Sequence, residues 1–140
     1  MEKLSDVVIE QACAQHAHET NRAFVSAVDA GISIAPWHYL DAESIDRTRR
    51  MVLYVLREDG TAESKHEFWC ASMREQGWSF GPGPDHKNMK HPLLVPWTDV
   101  PHAQQVKEVL VVASIRAMAT ALGHSKCPYA TMTYGPDPAG

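Results

Sequence analysis

The sequence predicts an all-α protein: a small bundle of about four helices with one long ordered loop rich in aromatic residues and proline. Four segments carry apolar residues at helical spacing, with capping residues at their ends. No two segments alternate convincingly as paired strands would. The third observation is that residues 77–97 combine proline and glycine with bulky apolar side chains. Such a segment suits neither a helix nor a strand interior, so we expect it to connect two helices.

The first two helices are predicted from apolar stripes that follow N-capping residues. Ser5 can cap the first helix, which we expect to end near Gly31, and Asp41 can cap the second. Residues 51–56, MVLYVL, would also fit a buried strand, and we prefer a helix because the pattern extends back to Asp41. The stripes are Val8, Ile9, Ala12, Cys13, Ala17, Phe24, Val25 and Val28 in the first helix and Ile45, Val52, Leu53 and Leu56 in the second.

The third helix is predicted from a capping box. Ser64 can accept a hydrogen bond from the amide of residue 67, while the Glu67 carboxylate reaches back. A short helix over about residues 65–76 follows, and Gly77 is placed where a left-handed residue ends a helix. We expect its inward side chains to be Phe68, Trp69, Ser72 and Met73.

The fourth helix is bounded by proline and glycine. Pro101 suits its first turn, and Gly123 ends it. The predicted buried seam is Val106, Val109, Leu110, Ala113, Ala117 and Ala121. The chain is therefore predicted to be one domain over residues 1–122, followed by a flexible tail, residues 123–140, that is rich in proline and glycine.

The loop between the last two helices is expected to be ordered. Structureless loops of about 20 residues are uncommon in compact domains, and most are either functional or disordered. Disorder does not fit a segment with this many apolar side chains. We expect the loop to be held on the helices by Trp78, Phe80, Leu93, Leu94, Val95 and Trp97.

Composition excludes several classes of protein. The formal charge of −4, with no long block of one sign, argues against nucleic acid as a partner. No apolar run approaches the roughly 20 residues that span a bilayer, and the N-terminal residues do not resemble a signal peptide. The three cysteines lie far apart and without zinc-site spacing, which fits reduced thiols. We therefore expect a cytoplasmic protein that is not bound to a membrane.

The sequence offers no motif for catalysis, for a metal or for a cofactor. His16 and His18 are two residues apart on a predicted helix, so their side chains point in different directions and cannot chelate together. No cysteine or serine lies in a recognisable nucleophile motif, and the glycine-rich phosphate-binding motifs are absent. We expect a protein that is not an enzyme and that uses no metal or cofactor.

An ordered set of short motifs resembles a known family. HEFW (66–69), GWSFGP (77–82), KHPLLVPW (90–97) and VP (100–101), followed by a helix, together resemble the RyR domain, the repeat named from the ryanodine receptor. The resemblance is tight over residues 61–122. The segments HETNRAF and PW, near the N-terminus, resemble the free-standing bacterial and phage members. Ser64 and Trp97 depart from the family pattern, which has Asn, and Tyr or Phe, at these positions.

The resemblance implies a mostly helical binding module without catalytic activity. In the receptor, paired repeats form clefts whose aromatic residues can take an adenine-type ring, and prokaryotic members are associated with the recognition of nucleotides. We therefore expect a small anionic, nucleotide-like ligand, in the host cytoplasm if the protein is phage-encoded, and a homodimer that recreates the pair. The alternative is an adaptor that binds a partner protein through exposed aromatic residues and the proline-rich loop, with no small ligand.

Candidate ligand-binding residues fall in two groups. His18, Asn21 and Arg22 share one face of the first helix, where they could form a polar network or contact a phosphate and a base edge, and Trp37 could cover the same region.

The second group lies on and beside the loop. Trp69 is either core or a stacking surface for a base, and Trp78 either fixes the loop or joins it. Lys90 is either solvated or placed on a phosphate, and His91 either bonds to backbone groups or contacts the ligand.

Overall fold

The computed structural model describes residues 3–29 and 31–126, and most of these residues are helical. The helices are α1 (Asp6–Val28), α2 (Ala42–Arg57), α3 (Ala62–Glu75) and α4 (His102–Leu122). Short 3-10 helices, Trp37–Tyr39 and Trp97–Asp99, precede α2 and α4. The predicted all-α bundle of four helices is confirmed. None of the helices in the described part of the chain has the length and apolar character needed to cross a membrane.

Polar side chains cap the N-termini of three helices. Ser5 accepts a hydrogen bond from the Val8 amide at 3.3 Å, and Asp41 accepts one from the Ser44 amide at 2.7 Å, as predicted. The capping box of α3 is not where the sequence placed it. Thr61 is the N-cap, and Ser64 occupies the third helical position, with reciprocal bonds of 3.1 and 2.8 Å between them. Helix α3 therefore begins about one turn earlier than predicted.

Two glycines end helices in the left-handed conformation. Gly77, just after α3, has φ of 92°, and Gly123, at the end of α4, has φ of 84°. In both places the next amide bonds back to a carbonyl five residues earlier: Trp78 to Met73 at 3.0 Å, and His124 to Ala119 at 2.9 Å. Both helix ends are where the sequence predicted them.

The core lies where α1, α2 and α4 meet. Helices α1 and α4 run antiparallel, as seen in the contact of the Cys13 thiol with the Ile115 carbonyl and in the bond from the Ser125 amide to Asp6. The buried core residues are Ile9, Cys13, Ala14, Ala17, Trp37, Val52, Val55, Leu56, Ala62, Val111, Val112, Ile115 and Ala119.

The predicted buried seam of α4 is wrong, because the helix turns its other face to the core. All six predicted seam positions, Val106, Val109, Leu110, Ala113, Ala117 and Ala121, are exposed. Helix α4 is apolar on nearly every side, so its sequence does not define a single buried stripe. The prediction that Phe68 faces inward is also wrong: its ring is exposed and stacks on Tyr54 with 4.7 Å between centroids.

A buried carboxylate ties three parts of the chain together. Glu10 is only 6% exposed, and it accepts two hydrogen bonds of 2.8 Å from Arg57 and contacts the His124 ring at 3.1 Å. Burial alone would raise the pKa of Glu10, but the hydrogen bonds from Arg57 and His124 outweigh burial and lower it. Since His124 is 1% exposed, the predicted flexible tail does not begin at residue 123. Its remainder, residues 127–140, lies outside the described residues.

The loop contains a small strand pair that the sequence did not predict. Strands β1 (Ser79–Phe80) and β2 (Lys90–His91) run parallel, so the expectation of no strand pair is wrong here. The Ser79 amide donates to the Met89 carbonyl at 3.0 Å. With only two residues in each strand, the pair leaves the all-α class unchanged.

The C-terminal half of the loop is fastened to α3. The His66 ring bonds the Val95 carbonyl at 2.7 Å, and the Trp97 amide donates to Glu67 at 3.1 Å. Leu94 is buried, and Trp97 packs against the core. Phe80, in contrast, is 57% exposed, so its predicted role in holding the loop on the helices is wrong.

Replacing the buried carboxylate should destabilise the fold. We expect Glu10→Gln to lower the free energy of unfolding by roughly 1.5–3 kcal/mol, because charged hydrogen bonds of this size are lost. The loss stays below that of a fully buried pair because the Arg57 side chain is 52% exposed. Urea denaturation at neutral pH measures it. Glu75→Gln, at an exposed position, is the control and should change stability by less than about 0.5 kcal/mol.

The same substitution should alter the acid sensitivity of the fold. Because the pKa of Glu10 is lowered in the folded state, its contribution is complete above the ordinary pKa of a glutamate, about 4.3, and is lost as pH falls through the folded value. The stability difference between the wild type and Glu10→Gln should therefore shrink on acidification. A difference that stays constant down to strongly acidic pH would contradict this account.

The strand pair should tolerate no side chain at Gly81. A Cβ there would lie 2.6 Å from Lys90 Cβ, whereas one at Gly83 would meet nothing within 4 Å. We expect Gly81→Ala to destabilise the protein by roughly 1–3 kcal/mol. Gly83→Ala should be neutral or stabilise it by up to about 1 kcal/mol, because it restricts the unfolded chain. Equal effects of the two substitutions in thermal or urea unfolding would show that this close approach does not constrain the loop.

Candidate functional site

A cavity of about 430 Å³ opens between the helices and the loop. Helix α1 contributes Ala17, His18 and Asn21; α2 contributes Arg47, Thr48, Arg50 and Met51; α3 contributes Lys65, His66, Phe68, Trp69, Ser72, Met73 and, just after its end, Gln76; the loop contributes His91 and Leu93; α4 contributes Lys107, Glu108 and Val111. All four helices therefore meet at this cavity.

One wall of the cavity is aromatic. Trp69 is half-buried, and the His91 ring meets it edge-on with 5.0 Å between centroids. The His66 ring also lies close to Trp69, with 5.9 Å between centroids. An indole in this setting combines apolar area with a π-face, as a stacking surface for a planar ring requires.

The orientation of His91 is set by the loop. Its Nδ1 accepts a hydrogen bond from the Leu93 amide at 3.1 Å, so the neutral ring carries its proton on Nε2. Burial lowers the pKa of His91, and the positive charges of His86 and Lys107 lower it further. The ring therefore favours its neutral form, with Nε2–H as a hydrogen-bond donor.

The lining of the cavity also includes a cationic wall, formed by two sheltered lysines, Lys65 and Lys107, that share one carboxylate. The side chains of Lys65 and Lys107 are only 12% and 13% exposed. Lys65 forms an ion pair with Glu108, and the Lys107 ammonium lies 3.6 Å from the same carboxylate. Two cations beside one anion leave an excess of one positive charge in a partly desolvated place.

The unfavourable burial of positive charge in this cluster is reflected in the pKa of Lys107. Burial lowers that pKa; Glu108 raises it, and the neighbouring charge of Lys65 lowers it again. A second anion placed beside the two ammonium groups would favour the charged form of Lys107. The cluster is therefore suited to a carboxylate or a phosphate.

Two arginines of α2 add positive charge at the rim. Arg47 pairs with Glu43 at 3.3 Å and Arg50 with Asp46 at 3.0 Å, one helical turn apart in each case. More than half of each arginine side chain is exposed, so these pairs are weak and the guanidinium groups can reorient.

Four of the eight predicted site residues line the cavity: His18, Asn21, Trp69 and His91. Asn21 and His91 are half-buried. The His18 ring also bonds the Ala35 carbonyl at 2.7 Å, so it both lines the cavity and holds the connector between α1 and α2.

The other predicted residues do not line the cavity, and their contacts explain why. Arg22 donates to the Ile34 carbonyl at 3.0 Å and to Glu19 at 2.9 Å, and Glu19 in turn accepts from the Trp37 amide at 3.0 Å. This network fixes the connector, and the Trp37 ring is buried in the core, where its centroid also lies 5.9 Å from that of the His18 ring.

The two remaining predicted residues are engaged within the loop. Trp78 packs edge-on against His86 with 5.3 Å between ring centroids, and Lys90 donates to the Ser79 hydroxyl at 2.6 Å. Neither side chain lines the cavity.

The sequence interpretation missed the cationic wall. Lys65 was considered only as the first residue of the predicted third helix, and Lys107 lay outside the predicted seam of α4. A usable signal was present: Lys107 and Glu108 are adjacent charged residues in a helix with only one other, Arg116. In the structure this charged pair lies on the side of α4 that lines the cavity.

The structure also brings a thiol close to a histidine ring, which the sequence did not suggest. Because His66 Nε2–H donates to the Val95 carbonyl, this nitrogen cannot take the proton of the thiol. Cys70 Sγ lies 3.3 Å from His66 Nε2. The thiol is fully buried, and burial raises its pKa, which favours the unreactive protonated form. Among the described residues, no cluster of histidine, cysteine and acidic side chains could hold a metal ion.

Comparison with known families agrees with the resemblance drawn from the motifs. The model of the RyR domain matches residues 53–125, more than half of the chain. This range contains α3, the loop, α4 and both the aromatic and the cationic wall of the cavity. No match was found among curated proteins. The extent of the family match shows that the chain belongs to the RyR domain family.

Proposed function

We propose that this RyR domain is a non-enzymatic binding module for a small, anionic, nucleotide-like ligand, which it holds in the cavity between α3, the loop and α4. The observation that carries the proposal is that one cavity has an aromatic wall at Trp69 and a cationic wall at Lys65 and Lys107. A nucleotide needs both, because its base stacks on an aromatic face and its phosphate takes charged donors.

The individual contacts give each wall a role. A base on Trp69 could accept a hydrogen bond from His91 Nε2–H, because the Leu93 amide already occupies Nδ1. The phosphate would lie against Lys65 and Lys107 and supply the second negative charge that the two ammonium groups lack. Arg47 and Arg50, at the rim, would attract the anion and could close over it.

The volume of the cavity is in the ordinary range for a small-molecule site. Ligand pockets usually measure about 300–1,000 Å³, and this one measures about 430 Å³. A mononucleotide suits that space. The module would sense or sequester such a ligand, and in a phage-encoded protein the ligand would be a signalling nucleotide of the host.

The alternative of a protein-interaction adaptor has one observation in its favour. Phe80, in the proline-rich loop, is exposed and lies outside the cavity. An adaptor of this kind would show no thermal stabilisation with any nucleotide and would co-purify with a partner through the loop. Phe80→Ser would then release the partner, whereas it should leave nucleotide binding unchanged.

Removing one sheltered ammonium should weaken the binding of the phosphate. We expect Lys107→Gln to reduce the affinity for adenosine monophosphate by about 10- to 100-fold, since a hydrogen bond to a charged group contributes roughly 1.5–3 kcal/mol. Adenosine, which lacks the phosphate, should lose little. Isothermal titration calorimetry measures both affinities. Lys87→Gln, on an exposed loop residue, is the matched control and should bind like the wild type.

Removing the indole should weaken binding of the base. We expect Trp69→Leu to lower the affinity for adenosine and for its monophosphate by the same factor, because stacking contributes about 1–3 kcal/mol per base. Trp78→Leu removes a half-buried indole outside the cavity and serves as the control. Unchanged affinity in Trp69→Leu, with a native circular dichroism spectrum, would remove the aromatic wall from the proposed site.

A further inference from the structure

The outer face of α4 is apolar and has no partner within the described chain. We call the exposed residues Ala103, Val106, Val109, Leu110, Ala113, Ala117 and Ala121 the outer α4 face. Val109 and Leu110 are 52% and 49% exposed. Of the charged residues of α4, Lys107 and Glu108 lie away from this face. Arg116 borders it beside Val109, and its guanidinium donates a hydrogen bond to the Gly60 carbonyl at 2.7 Å. A continuous uncharged stripe along a 21-residue helix is typical of a docking surface.

The order of side-chain sizes along this face favours a second copy of the same helix. The larger residues, Val106, Val109 and Leu110, lie in the N-terminal half, and the alanines at 113, 117 and 121 lie in the C-terminal half. An antiparallel copy centred on Ala113 would place Val109 opposite Ala117, and Val106 within one residue of the position opposite Ala121. Large residues then meet small ones, and the backbones approach closely at the alanines. A parallel copy would set the large residues against one another.

The charges at the two ends support the same direction. Asp99, just before α4, and Lys126, just after it, are both exposed. They lie almost equally far from Ala113 along the chain. An antiparallel pair brings Asp99 of each copy near Lys126 of the other, whereas a parallel pair would bring like charges together. The helix dipoles also oppose each other favourably in the antiparallel arrangement.

We propose that the outer α4 face forms a homodimer interface in which two α4 helices pack antiparallel about a two-fold axis near Ala113. Further apolar residues lie at the same end of the molecule as the C-terminus of α4. Leu4, Val7 and Val8, at the start of α1, are exposed, and α1 is joined to that end by the bond from the Ser125 amide to Asp6. They could add to the buried area, because the antiparallel partner passes this end. This inference does not depend on the ligand of the cavity.

A charge at the centre of the face tests the interface. Ala113→Glu would place two glutamates against each other at the axis, so the mass measured by sedimentation or light scattering should fall from dimer to monomer. Ala71→Glu makes the same change at an exposed position of α3 and should remain a dimer. Circular dichroism checks that both variants are folded. A wild-type protein that is monomeric at micromolar concentration, or an Ala113→Glu variant that stays dimeric, would overturn the proposal.

Engineered disulfides test the direction independently of that variant. In a Cys127→Ser background, Ala113→Cys should cross-link to its own copy under mild oxidation, and Ala121→Cys alone should not. A mixture of Val106→Cys and Ala121→Cys chains should cross-link. Efficient self-cross-linking of Ala121→Cys would contradict the antiparallel arrangement. Dimerisation that appears only after residues 127–140 are removed would show that this segment covers the face, and would also overturn the proposal.

Discussion

The cavity depends on the attachment of the loop to α3. The His66 ring donates a hydrogen bond to the Val95 carbonyl, and Glu67 accepts one from the Trp97 amide. Because Trp69 is on the same helix, only one turn away from His66, fixing the loop there also sets His91 beside the indole. The strand pair adds a second constraint, because His91 belongs to β2 and is paired with Phe80 of β1. Without these bonds the His91 ring would not be held beside Trp69, and the cavity would be an open groove.

The second wall is costly for the free protein. Two ammonium groups with little exposure share a single carboxylate, and the lowered pKa of Lys107 reflects the burial of its charge. A protein that needed these lysines only for stability could have placed them in solvent at less cost. A bound phosphate would convert this cost into affinity, because the negative charge stabilises the protonated form of Lys107. The physical basis of the proposed function is therefore that burial disfavours the charged form of Lys107, whereas a bound anion stabilises it.

Much of the fold could be predicted from local sequence signals. Ser5, Asp41, Gly77 and Gly123 mark helix ends through their own side chain or backbone freedom, and each is near the place the structure gives it. The buried face of α4 could not be predicted in this way. Its residues are apolar on nearly all sides, so packing against α1 and α2 decides which face is buried.

The site residues also fall into those that local sequence signals predict and those that depend on tertiary packing. Trp69 and His91 were found because an aromatic residue beside an irregular loop is conspicuous in a sequence. Lys65 and Lys107 were missed because their shelter arises only when α3 and α4 meet. Arg22 was included because helical spacing places it beside His18, and Trp37 because it lies in the connector that follows. In the structure, the Arg22 guanidinium donates to a backbone carbonyl 12 residues further along the chain, that of Ile34. Hydrogen bonds to distant backbone groups leave no signature in sequence spacing.

The most direct test of this account is the pKa of the Lys107 ammonium, measured by NMR through its side-chain carbon shifts with and without a saturating nucleotide. In the free protein we predict a pKa below the ordinary lysine value of about 10.4. Adenosine monophosphate should raise the pKa of Lys107, and adenosine, which lacks the phosphate, should not. A Lys107 pKa that does not respond to the bound nucleotide would contradict the placement of its phosphate between the two lysines.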